Sequence, residues 1–94
     1  MNENQILSLA IRLFGQQKQR IVAIEEMSEL QKALCKFERK QTNENINSIA
    51  EEIADVEIMI KQLKIMFGID DQVEEIKDYK IKRLENRVKG AIKL

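Results

Sequence analysis

The sequence predicts an all-α protein, a four-helix antiparallel bundle completed by oligomerisation. Three observations predict it. The chain has no proline and only three glycines, so little interrupts a helix. Its apolar residues recur at helical spacing over long stretches. The polar breaks between those stretches are short, so consecutive helices should pack antiparallel. At 94 residues, one domain covering 1–94 is expected. A domain this small buries a modest share of its surface, and association between copies is a common remedy.

The first helix is expected from about Asn4 to Phe14. Ile6, Leu7, Ala10, Ile11, Leu13 and Phe14 fit one broad helical face there, and Gly15 follows. A long second helix should run from about Gln16 to Lys40. The segment from Lys40 to Asn43 is the best turn, with Thr42 or Asn43 capping the third helix through a side-chain oxygen. That helix should reach Phe67, with Gly68 ending it in a left-handed conformation. Asp70 and Asp71 are expected to cap the fourth helix, Asp71 and Glu74 having capping-box spacing, and Gly90 to end it. Val73, Ile76, Leu84 and Val88 make its apolar stripe, and the three phenylalanines are expected in the core.

Bulk properties exclude several functions. With 16 basic and 16 acidic residues, the chain gives no overall reason to bind a nucleic-acid polymer or a membrane. No apolar run approaches the ~20 residues of a membrane span. The N-terminal stretch lacks a basic leader and carries Arg12 within its apolar part, so it does not read as a signal peptide. Cys35 is the single cysteine; it suits a reducing cytoplasm, and plain packing is its expected role. The absence of histidine removes Ser-His triads and His-ligated zinc.

The acids within the long helices carry the functional signal. At 100° per residue, Val22, Ala23, Leu30, Ala33 and Phe37 lie within about 60° of Glu26, with Glu29 at the stripe's edge. On the third helix, Val56, Met59, Leu63 and Met66 surround Glu52 in the same way, with Asp55 at the edge. The two helices form a quasi-repeat offset by 26 positions. In an antiparallel hairpin, facing residues have numbers with a constant sum. Glu26 with Asp55, and Glu29 with Glu52, share the sum 81, whose midpoint falls at the expected turn. Four ionised carboxylates at one level repel strongly. A hard divalent cation such as Mg²⁺, which takes oxygen ligands, resolves that conflict. A solvated Glu-rich face is the competing explanation of either ExxE-type pair taken alone. Glu25 and Glu51 are left between three roles: outer ligands, bases for water, or solvent-facing charges.

The motifs Glu26-Met-Ser-Glu29 and Glu52-Ile-Ala-Asp55 resemble the paired acidic signature of the MazG-like, all-α nucleoside triphosphate pyrophosphohydrolases. The flanking FGQQKQ and YKIKRLENRV also look like the small, phage-type members. The resemblance spans about Phe14 to Val88. It implies a four-helix fold binding Mg²⁺ through Glu26, Glu29, Glu52 and Asp55, with Mn²⁺ an acceptable substitute. It further implies a nucleoside triphosphate substrate cut at the α–β phosphoanhydride, giving monophosphate and pyrophosphate. House-cleaning of noncanonical nucleotides is a role proposed for such enzymes. A homodimer or homotetramer is implied, with sites often completed across subunits. Lys80 and Arg83 match the basic residues that contact phosphates in the family. Lys80 also interrupts the apolar stripe of the fourth helix, where snorkelling to solvent is the alternative. Glu29 or Glu25 is the expected catalytic group that orients or deprotonates the water. Gln16, Lys18 and Gln19 either line the nucleotide end of the site or are simply exposed. The competing function is a non-catalytic helical oligomerisation or regulatory module, its acids paired with residues such as Lys32 and Lys36.

Overall fold

A computed structural model describes residues 1–92, and these form four α-helices with no strand among the described residues. The helices are α1 (Glu3–Phe14), α2 (Gln16–Arg39), α3 (Asn43–Phe67) and α4 (Asp70–Ala91). Local chemistry sets most of their ends. Asn2 and Gln5 close a reciprocal capping box: the Asn2 side chain accepts from the Gln5 N–H at 2.8 Å, and the Gln5 side chain accepts from the Asn2 N–H at 2.9 Å. Gly15, at φ 95°, separates α1 from α2 by a single residue. Its N–H donates to the Ile11 carbonyl, and its own carbonyl accepts from Gln19, so one residue closes one helix and opens the next. A side chain would be strained at that φ.

The α2–α3 turn is held by Thr42 and Asn45. Thr42 Oγ1 accepts from the Asn45 N–H at 3.1 Å, and Asn45 Nδ2 donates to the Lys40 carbonyl at 2.7 Å. Asn45 is buried, and these bonds offset the cost of burying its amide. At the other end of α3, Gly68 adopts the left-handed conformation, with φ 62° and ψ 38°. The Ile69 N–H then reaches back to the Lys64 carbonyl at 3.1 Å, as in a Schellman ending.

The start and end of α4 differ from the sequence expectation. Ile69, not an aspartate, occupies the N-cap position, and no side chain caps the helix. The Ile69 carbonyl already accepts from the Val73 N–H at 2.9 Å, so the helical ladder begins one residue before Asp70 can cap it. Asp70 and Glu74 instead approach the Lys64 ammonium, at 3.7 and 3.8 Å. Asp70 and Asp71 still place negative charge in the first turn, where the helix dipole favours it. Gly90 does not end α4, which continues through it to Ala91. Glycine in an exposed helix costs only about 1 kcal/mol relative to alanine, too little to force a break.

Packing centres on the α2–α3 hairpin. α1 lies against both of its helices, whereas α4 touches α3 alone. Leu7, Ile11, Ala23, Ala33, Val56 and Met59 form the buried apolar core. α4 contributes no buried residue, and no large side chain among the described residues is fully buried. The fourth helix therefore does not complete a closed bundle within one chain. Phe14, Phe67 and Tyr79 are exposed, and Phe37 is half-buried, so the phenylalanines do not fill the core as expected. Cys35 is exposed as well, because it lies about 180° from Glu26 on α2 and turns away from the hairpin. The shape is elongated, 55 × 36 × 23 Å. No helix of the described residues is long and apolar enough to cross a membrane.

Candidate metal centre

The hairpin brings three of the four motif acids into one cluster. One carboxylate oxygen from each of Glu26, Glu52 and Asp55 lies within 4.8 Å of the others. Glu26 and Glu52 are half-buried and Asp55 is exposed, in line with their phases on the two helices. Residues i and i+3 share a helix face, so Glu52 and Asp55 reach the cluster from consecutive turns of α3, while Glu26 comes from α2.

Glu29 stands at the margin. It is exposed and pairs with the Lys32 ammonium at 3.5 Å on its own helix. Its charge still acts on both Glu26 and Glu52. Glu25 is exposed and lies outside the three-oxygen group. Glu51 is also exposed, but its charge reaches Glu52.

The cluster is electrostatically strained as it stands. Burial lifts the Glu26 carboxyl above its ordinary range, and the charge of Asp55, a hydrogen bond shared with Asp55, and the charges of Glu52 and Glu29 add to it. Burial likewise raises Glu52, followed by the charges of Asp55, Glu29 and Glu51. Glu52 Oε2 is buried with no hydrogen-bond partner among the described residues. A buried acceptor left without a donor is costly. No ion pair among the described residues offsets Glu26, Glu52 or Asp55. A divalent cation fits this donor set: it would supply the opposite charge that three converging oxygens lack, and would give Glu52 Oε2 a partner.

The remaining sequence candidates lie elsewhere. Lys80 and Arg83 are exposed on α4, which makes no contact with α2, so no helix packing seats them against Glu26. Gln16 and Lys18 are exposed, whereas Gln19 is buried within the fold and so lines no open site. Gln19 and Gln62 had a readable signal. Their numbers also sum to 81, which puts two buried amides at one level, two helical turns from the acids. Gln62 Oε1 has no partner among the described residues.

No protein-family model matches the chain, and neither a curated protein nor a solved structure matches it. The class defined by fold and site together is therefore the coarse one: an all-helical protein whose central hairpin gathers three carboxylates.

Proposed function

We propose that the chain is a Mg²⁺-dependent nucleoside triphosphate pyrophosphohydrolase of the MazG-like kind, releasing nucleoside monophosphate and pyrophosphate. The observation that carries the reading is the convergence of Glu26, Glu52 and Asp55, together with a buried Glu52 Oε2 that has no hydrogen-bond partner among the described residues. In this reading Glu26, Glu52 and Asp55 hold the cation, and Glu29 joins them by releasing Lys32. The cation, when bound, would neutralise triphosphate charge and favour departure of pyrophosphate. Glu29 accepts a proton from water as the water oxygen bonds to the α-phosphorus. The bond from that phosphorus to the α–β bridging oxygen breaks, and pyrophosphate leaves with the electron pair. Glu25, also exposed, is the second candidate for that proton. Lys80 and Arg83 would bind phosphate oxygens. Because α4 touches no part of α2, they serve the acids of a neighbouring copy in a homodimer or homotetramer. House-cleaning of noncanonical nucleotides is the role this chemistry suits.

One observation favours the second reading, a non-catalytic oligomerisation module: the whole apolar stripe of α4 beyond Val73 is exposed. That reading also requires cations to neutralise the four motif acids, and among the described residues only Glu29 of the four has one. Incubating a panel of canonical and modified nucleoside triphosphates with Mg²⁺ and separating the products decides between the two. Monophosphate with pyrophosphate supports the hydrolase. Diphosphate with orthophosphate contradicts it. No turnover, together with no Mg²⁺ binding, favours the module.

A further inference from the structure

The zero net charge of the chain hides an uneven distribution along α4. Residues 70–75 carry four acidic groups and no basic one. Residues 77–89 carry six basic groups against two acidic ones, a local net charge of +4. The helix dipole favours cations in the last turn, and Lys89 alone lies there, so the other five have a different cause. Helical phase sorts them. Lys80, Arg83 and Arg87 lie within about 60° of one another, whereas Asp78 and Glu85 lie about 140–160° from Arg83, on the opposite side. No acid stands three or four places from any of the three, the spacing at which a solvated helix neutralises its own cations. None of them makes an ion pair among the described residues, while Lys89, off this stripe, pairs with Glu85 at 3.7 Å. Every residue of α4 from Glu74 to Ala91 is exposed, so the stripe is accessible along its whole length.

We propose that the basic half of α4 docks in the major groove of duplex DNA, with Lys80, Arg83 and Arg87 on one row of backbone phosphates. An α-helix with its side chains is about 10–12 Å across, and the groove is about 12 Å wide. From Lys80 to Arg87 the stripe rises about 10.5 Å, comparable with three phosphates of one strand at about 3.4 Å of duplex axis each. Duplex RNA fits less well, because its major groove is deep and narrow.

An anionic membrane is a poorer match for the same helix. A helix lying in a membrane surface sets its apolar face in the lipid and its charges on the other face. Here Ile81, Leu84 and Val88 lie about 100–160° from Arg83, and Lys77 falls among them. Asp78 and Glu85 border their far margin, where anionic headgroups would repel them. The inference goes beyond the proposed function and shares with it only the affinity of Lys80 and Arg83 for phosphate oxygens. Its test contains no nucleoside triphosphate, so the two fail separately.

Fluorescence anisotropy of a short labelled DNA duplex, titrated with the full chain over a range of salt, tests the proposal. Three phosphate contacts should give a slope of log K against log[salt] of about −2.7, or roughly a 40-fold loss of affinity between 50 and 200 mM salt. Arg87→Ala should make that slope shallower by about 0.9. Lys89→Ala, which removes a paired cation off the stripe, should bind as the parent does. Both positions are exposed, so both variants should keep the parent's helicity by circular dichroism. A duplex RNA of the same length should bind more weakly. No binding at low salt overturns the proposal, as does an equal loss in the two variants. Equal affinity for RNA overturns it too, as does binding to phosphatidylserine vesicles without binding to DNA.

Discussion

α3 and α4 are consecutive helices of similar length, 25 and 22 residues, and they meet different fates. α3 buries Val56 and Met59 against α2 and supplies two acids to the cluster. α4 has an apolar stripe of its own and buries nothing. Both have helical periodicity. The difference is whether a partner helix within the chain presents a matching stripe. α2 does so for α3, through the quasi-repeat. Each helix of the hairpin already faces the other, and α4 is tethered to the fold chiefly by contacts with α3, including the Lys64 ion pairs.

The largest expected effect probes the hairpin's acids. Glu52→Gln should lower turnover roughly 1,000-fold, the scale of losing one electrostatic stabiliser. Without metal the same variant should melt no lower than the parent, since it removes a half-buried charge from a repelling cluster. A clear drop in its metal-free melting temperature would falsify the cluster as a source of strain.

Next comes the contrast in packing. Met59→Ala should destabilise by about 2–4 kcal/mol through lost contacts and a cavity. Leu84→Ala on α4 should cost no more than about 0.5 kcal/mol in a dissociated chain, as expected of a surface position. Denaturant titration of both, at a concentration where copies dissociate, measures the comparison directly. Equal losses would mean that α4 packs as α3 does.

Gln62→Met should stabilise the fold by about 1 kcal/mol, because it removes a buried acceptor with no donor while keeping the volume. Lys64→Ala should cost about 0.5 kcal/mol, since its partners Asp70 and Glu74 are exposed. The telling readout for Lys64 is amide exchange, which should quicken along α4 while the α2–α3 hairpin stays protected.

A pH series sharpens the same contrast without mutation. Glu26 and Glu52 have raised carboxyl values in the fold, so the folded chain holds protons more tightly than the unfolded one. Their protonated forms help the metal-free fold at acid pH. That help is lost as pH rises from the ordinary carboxylate value through the raised one. Metal-free melting temperature should therefore fall across that window in the parent, and fall less in Glu52→Gln. Saturating Mg²⁺ should remove most of the slope, because a bound cation favours the ionised acids.

Much of the fold was legible. The bounds of α1, α2 and α3 follow from Gly15, Thr42 and Gly68, residues whose chemistry acts over three or four positions. The register was legible too: the sum of 81 anticipated that Glu26 meets Asp55, and the same arithmetic pairs Gln19 with Gln62. Features that depend on competition between neighbours were harder to read. Asp70 looked like a cap, but Ile69 entered the ladder first and Lys64 attracted the carboxylate. Glu29 looked equivalent to Asp55, yet it lies outside the three-oxygen group and beside Lys32 instead. Phe14 and Phe67 looked like core residues because hydrophobicity says what prefers burial, not whether a surface is there to provide it.

The sequence by itself therefore determined the helices, their breaks, the antiparallel hairpin and the level at which acids face one another. Those depend on backbone geometry and on a period of 3.6 residues, both local. Tertiary structure decided which acids converge, which one stands outside the group, and that α4 finds no seat within the chain. Those outcomes depend on distances between side chains far apart in sequence, and on the surface left over once the hairpin has closed.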